Sequence, residues 1–358
     1  MMNFNDAQNV NCLRSWISPD NLCYTGLSSN PNAIELLKNN IDKINWFLLS
    51  SNPNAIEILK THPNRINWYM LSGNQSSEAI ALLEKNPDRI HSYMLSGNRC
   101  SKAIELLEKN PNKIDWNALS GNTSYKAVAL LEKNLDKINW YMLSGNPSAS
   151  RILEKNPDKI SWNPFSRHSS NIKLFKENKD KIVWFEFSEN VNLFEVSDDI
   201  TYKIDWDGLS SNPCDYAIKL LEQNEDKINW FYLSQNTNPK AIKILEKHQD
   251  KIDMFWFARN PNCINLINLI NALHPTKIEW YLLSENINAI NLLEQNKTKV
   301  DWQNLSSNPS IFQYNYKFLK DRMYLSGLFE DIISNRFHPK NLSKFDGWGF
   351  DVPWSIIE

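Results

Sequence analysis

Glycine is scarce in this chain, 9 in 358 residues, and no GxGxxG, GxxxxGK[ST] or GxSxG occurs. Loops that cradle phosphates, and the elbow that presents a nucleophilic serine, rely on glycine at fixed spacing. Nucleotide-dependent and serine-hydrolase chemistry therefore have no visible home, and no catalytic residue is expected. Cysteine is scarce too: Cys12, Cys23, Cys100, Cys214 and Cys263 are odd in number, irregularly spaced and never form CxxC. That excludes a disulfide framework and fits reduced, mostly buried thiols in an intracellular, cytoplasmic setting. The six histidines (His62, His91, His168, His248, His274, His338) make no HxxxH or His/Cys cluster, so neither a metal site nor a cofactor is expected.

An excess of one charge is also lacking. The 39 basic and 41 acidic residues leave a net charge of -2, which is no nucleic-acid signature for the chain as a whole. No apolar run approaches the length of a membrane span, and the greasiest stretch, Ile264 to Leu273, is broken by asparagines. The opening MMNFNDAQNV has neither basic leader nor apolar segment, so a signal peptide is not expected. The remaining composition, 42% hydrophobic and 12% aromatic, is that of a folded chain.

What is present is one stretch, KINWYMLSGNP (Lys137 to Pro147), repeated along nearly the whole chain. Its isoleucine recurs as Leu22, Ile44, Ile66, Ile90, Ile114, Ile138, Ile160, Ile182, Ile204, Ile228, Ile252, Ile278 and Val300, which gives 13 copies at intervals of 22 or 24 residues with a single 26. Such a period marks a stacked-repeat architecture, in which each unit buries its apolar face against its neighbours. The repeats are numbered 1 to 13 from Leu22 to Val300. The expected fold is an all-α superhelical solenoid of 22–24-residue units, each an α-helix plus a short α/3-10 helix. It would run about 110–130 Å along its curved axis at helix-packing spacing. An N-terminal cap is expected over 1–20, the solenoid over 21–310 and a C-terminal helical cap over 311–358.

Within a unit, the Asn-Pro pair predicts the start of the first helix: Asn52 as N-cap, Pro53 at the first helical position, and Ala55, Ile56, Ile58 and Leu59 as the apolar face. Strings such as Asn156-Pro157-Asp158 suit a type I turn. The residue after the reference isoleucine, such as Asn45, Asn67, Asp115 or Asn229, is a capping type, which predicts a second, short helix beginning at the tryptophan. Extended pairing is the rival reading, because IxWYxLSxN can be laid on the leucine-rich-repeat pattern LxxLxLxxN. Pro164 and Gly208, in the middle of the strand this would require, argue against it. The consensus fades from about 163 to 203, and again between Met254 and Ile278. Tyr316 to about Asn335 reads as one longer helix.

The LSxNP and LLExNP strings, such as Leu49 to Pro53 and Leu82 to Pro87, resemble leucine-rich variant repeats. That resemblance implies an α-helix stacked on a 3-10-like helix in a right-handed superhelix. The whole unit, and the ending Phe337 to Asp351, are similar to the short tandem-repeat proteins of giant DNA viruses, which would place the chain in a host cell. Neither resemblance implies an activity. The tryptophan column is not part of the leucine-rich variant pattern.

Stacking turns each repeat position into a column, and four columns invite a functional reading. The tryptophans (Trp46, Trp68, Trp116, Trp140, Trp162, Trp184, Trp206, Trp230, Trp280, Trp302) fit packing between units. The asparagines (Asn30, Asn52, Asn74, Asn98, Asn122, Asn146, Asn190, Asn212, Asn236, Asn260, Asn286, Asn308, with His168 as the one substitute) fit inter-unit hydrogen bonds. The cations before the isoleucine, Lys43 through Lys299, form a regular stripe that a phosphate backbone could meet, although Asp88, Asp136 and Asp158 sit directly beside theirs. The residues after the tryptophan vary and are largely aromatic: Phe47, Tyr69, Tyr93, Asn117, Tyr141, Phe185, Asp207, Phe231, Phe255 and Tyr281. Aromatic side chains dominate protein interfaces, so these positions are the candidates for binding a protein partner along one face. A non-enzymatic protein-binding scaffold is therefore the expected function, with nucleic-acid binding through the cation column as the alternative. No membrane association and no small-molecule ligand are expected.

Overall fold

The computed structural model describes residues 11–192, 203–273 and 275–328, with isolated positions up to 334. It divides into two compact units, Ser18–Ile311 and a second formed by Met1–Ile17 with Phe312–Glu358. Ser18–Ile311 is the all-α repeat solenoid. In repeat 6, the 3-10 turn Leu135–Lys137 leads into buried Ile138, and Asn139 Oδ1 then accepts from the Met142 amide at 3.1 Å to cap the short helix Trp140–Ser144. Asn45, Asn67, Asp115, Asp205, Asn229, Asp253 and Asp301 cap in the same way. Helix takes the place of the rival strand because the caps recur where a helix must start. Pro164 lies within the first turn of the helix Trp162–His168, where its missing donor costs nothing. The leucine or phenylalanine after each short helix's first turn is fully buried, from Leu27 to Leu305.

Asn238 caps the helix Pro239–Lys247 as the Asn-Pro pair predicts, but other longer helices start later than their pairs predict. Asn52 is the C-cap of the short helix Trp46–Ser51, and the next helix is Ile56–Thr61, entered through Ala55. The reason lies in how Asn52 is used. Its amide donates to the repeat before it, to the carbonyls of Ser28 at 3.2 Å and Asn30 at 3.1 Å, while its Oδ1 accepts from the Asn54 amide at 3.1 Å. The side chain thus holds a turn and a neighbour instead of a helix start. The same pair of amide bonds recurs down the column as far as Asn308, which reaches Ser284 and Asn286. A second column runs beside it: the buried serine hydroxyl of one repeat accepts the amide of the next repeat's capping residue, as Ser50 does from Asn67 at 2.9 Å. Buried carbonyls and hydroxyls are satisfied across every such joint, which fixes the register of the stack.

The solenoid closes on itself. Asn30, in repeat 1, donates to Ser306 O at 3.2 Å and Asn308 O at 3.1 Å, in repeat 13. The Cys23 amide donates to the Ser306 hydroxyl at 2.7 Å, and Asn32 reaches Pro309 O at 3.2 Å, as Asn54 reaches Pro31 O at 2.9 Å. Repeat 13 therefore joins repeat 1 by the bonds that join internal neighbours. The all-α solenoid expected from the repeat pattern is thus a closed one, a ring turning about 28° per repeat. Each terminal repeat covers the stacking face of the other. The short helices pack against one another around the ring while most of the longer ones touch their neighbours more sparsely, which puts the short helices on the inner circumference. At helix-packing distances the ring is about 120 Å round and about 38 Å across, and subtracting about 10 Å for helix thickness leaves an opening of about 25–30 Å.

Repeat 7 breaks the asparagine column, though not at His168. The short helix runs one residue further, to His168, and buried Ser169 occupies the turn, its hydroxyl accepting from the Asn171 amide at 3.1 Å. The unusual Val196 to Ile200 stretch of the irregular segment lies outside the described residues.

In the second unit, β1 (Asn11–Leu13) pairs antiparallel with β2 (Phe312–Tyr314), Cys12 opposite Gln313. The sequence pattern gave no sign of this, because two three-residue strands carry no period. The helix expected to reach Asn335 is interrupted: Tyr316–Leu325 ends at Gly327, φ 72°, and the described positions Leu328, Glu330, Ile332 and Ser334 are helical again. The Phe337 to Trp354 tail lies outside the described residues.

Candidate protein-binding face

The short helices set the chemistry of the inner wall. Their Leu-Ser pair points into the core, so the residue after the tryptophan, on the opposite side of the helix, points away from it. All ten candidate positions are exposed, Asn117 and Asp207 included. The eight aromatic ones range from 40% exposed at Phe255 to 57% at Tyr141, far above the few per cent of a packed core ring.

The tryptophans beside them are half-buried. Several carry the next repeat's cation on the ring face: Lys227 Nζ lies 4.6 Å from the Trp206 ring centre, Lys299 4.6 Å from Trp280 and Lys181 5.6 Å from Trp162, and Lys43 covers Tyr24 at 4.8 Å. Adjoining aspartates contribute less: Lys137 is 3.4 Å from Asp136, and Lys159 is 3.8 Å from Asp158. The cation column is thus partly engaged in joining one repeat to the next through cation–π contacts.

The exposed positions also lean on the following repeat. Tyr69 meets His91 edge-on at 4.6 Å, and Phe231 meets Trp256 at 5.9 Å. Where the position is polar, a hydrogen bond replaces the ring contact: Asn139 donates to Asn117 and Asn229 to Asp207, each at 2.8 Å. These contacts hold Tyr69, Phe231, Asn117 and Asp207 while leaving part of each exposed, so these four have less rotamer freedom to lose on binding.

Two features of the wall were not legible in the sequence. Arg259 stacks on both Phe255 and Trp256, at 4.7 and 5.5 Å, and the off-column tryptophan was its one visible sign. Arg167 pairs with Glu186 at 3.0 Å and with Glu189, linking repeats 7 and 8. Burial pushes the Glu189 carboxyl above its ordinary range, against the pull of Arg167. No regular column predicts that cluster, because it replaces the column residues.

On the outer side, a groove of about 190 Å³ between the helices Ser77–Glu84 and Ser101–Lys109 is crossed by the Glu84–Lys109 ion pair. Among the described residues, no group of three or more His, Cys, Asp or Glu could hold a metal ion, and no helix is long and apolar enough to cross a membrane. Comparison of the chain with family models, with curated proteins and with solved structures returns no match.

Proposed function

We propose that this protein is a non-enzymatic binding ring, intracellular and cytoplasmic, that engages a protein partner through the exposed aromatic column of its inner wall. The observation that carries the reading is the repeated exposure of Phe47, Tyr69, Tyr93, Tyr141, Phe185, Phe231, Phe255 and Tyr281, each on a rigid helix. Large aromatic side chains left this open on a scaffold whose core and inter-repeat hydrogen bonds lie elsewhere are available as interface anchors. Nucleic-acid binding through the cation column is less favoured, because several of its cations already lie over indole rings or beside aspartates.

The test compares the intact chain with the triple variant Tyr69→Ser/Tyr93→Ser/Tyr141→Ser, both tagged, in the cells that naturally make the protein. The variant should keep its circular dichroism and melting temperature and lose the proteins that the intact chain captures. An unchanged set of captured proteins overturns the choice of face. Retention of the intact chain on heparin, eluting steeply with salt, would favour the nucleic-acid reading instead.

A further inference from the structure

We infer that the ring opens and closes as two half-rings, parting between repeats 13 and 1 and turning about the joint between repeats 6 and 7. Two observations at opposite points of the ring carry this. The joint between repeats 13 and 1 is bonded like the others, but no stretch of the repeat chain crosses it. Every other joint is also held covalently. Parting this one joint breaks, besides these bonds, the three-residue β1–β2 ladder between the chain segments that flank it, and leaves the stack otherwise intact.

The second observation is the single gap in the asparagine column. Twelve joints carry the paired amide bonds, including the closing one. At the joint between repeats 6 and 7, no side-chain amide from repeat 7 reaches Ser144 O or Asn146 O, because Ser169 has only a hydroxyl and spends it on its own turn. Six repeats lie on one side of this gap and seven on the other, so it faces the closing joint across the ring.

The bonds that remain at the gap suit a hinge. Ser161 still donates to the Ser144 hydroxyl at 2.9 Å. Asn171, at the start of the outer helix Ile172–Glu177, donates to Ser150 Oγ at 2.8 Å and Glu154 Oε1 at 2.5 Å, both in the preceding outer helix. When a ring parts, the opposite joint spreads on its inner edge and narrows on its outer edge. Here the missing bonds are those behind the inner helices, and the added ones tie the outer helices together. Another joint is also reduced: Ala258 replaces the serine between repeats 11 and 12, which removes one hydroxyl bond. There Asn286 keeps both amide bonds at 3.0 Å, and a hinge at that place would release only two repeats. Parting at one joint would admit a partner that has no free end to thread.

Hydrogen exchange read by mass spectrometry tests this on the full chain. The Cys23 amide bonds across the closing joint as the Asn67 and Asn229 amides do across internal ones. Cys23 should exchange at least tenfold faster than either. Ser169→Asn, which restores the missing amide pair half a ring away, should slow Cys23 several-fold and leave Asn67 unchanged. Equal protection of the three amides, or a Cys23 rate indifferent to a folded Ser169→Asn variant, overturns the inference. A second measurement does not depend on that variant folding. Spin labels at Ser29→Cys and Ser307→Cys, with Cys12, Cys23, Cys100 and Cys214 replaced by serine, should report a short and a long distance. One narrow short distance overturns the inference equally.

Discussion

Repeats 2 to 6 and repeats 7 to 8 solve the same joining problem with different chemistry. The first arc is uniform. Its asparagines supply two amide bonds per joint, its core positions are small aliphatics such as Leu131 and Leu153, and its inner wall carries Phe47, Tyr69, Tyr93 and Tyr141 beside Gly73, Gly97, Gly121 and Gly145. The next two repeats give up regularity. Phe165, Phe175 and Phe187 stack through the core at ring distances of 4.9 and 5.0 Å, and Arg167 spans to Glu186 and Glu189. The aromatic stack and the ion pairs join repeat 7 to repeat 8, a joint at which Asn190 also keeps both amide bonds, whereas the joint that lacks them is the one between repeats 6 and 7. Packing area is non-directional and tolerates rotation, whereas a pair of buried amide bonds does not. The contrast therefore separates a rigid arc from a compliant one.

Substitutions can break that contrast. Phe175→Ala should cost most, about 3–5 kcal/mol in chemical denaturation, because it empties the centre of the aromatic stack; Leu153→Ala, at the same place in the previous repeat, should cost less, about 2–4 kcal/mol. Asn98→Ala removes two buried bonds and strands the carbonyls of Ser72 and Asn74, at about 2–4 kcal/mol, while His168→Ala should be nearly neutral. Equal losses for these two would erase the distinction between the arcs. Arg167→Ala should cost about 1 kcal/mol, since the arginine is partly exposed and its partners less so. The smallest expected effect is on pH dependence. Burial, aided by Arg167, holds the His168 imidazole below its ordinary 6.5. The unfolded chain then takes up the proton first, so stability should fall as pH drops below about 6.5 and level off below the folded value. His168→Asn should flatten that slope in melts recorded between pH 7.5 and 5.

Much of this was legible in the sequence. The period announced a repeat stack, the capping residues after each isoleucine announced short helices, and the residue after each tryptophan lay on the exposed side by helical geometry alone. What escaped has a common cause. Asn52 was read as a helix cap because its local sequence suits one, but its amide is spent on another repeat, and no local pattern reports that. Closure was hidden for the same reason. The sequence states how one unit follows the next, whereas the angle between them, summed around the stack, decides whether the ends meet. Ser169 in place of His168 came from a one-residue extension of a helix, below the resolution of column alignment.

Closure also makes copy number a geometric quantity. An open stack gains or loses a unit by recombination between identical stretches, and nothing else need change. Here a fourteenth unit would have to take about 2° from every existing joint before the last could still reach the first. The stiff arc resists that adjustment and the irregular one absorbs it. Any lengthened or shortened descendant of this chain should therefore show its changes gathered near repeats 7 and 8, whatever the place of the duplication itself.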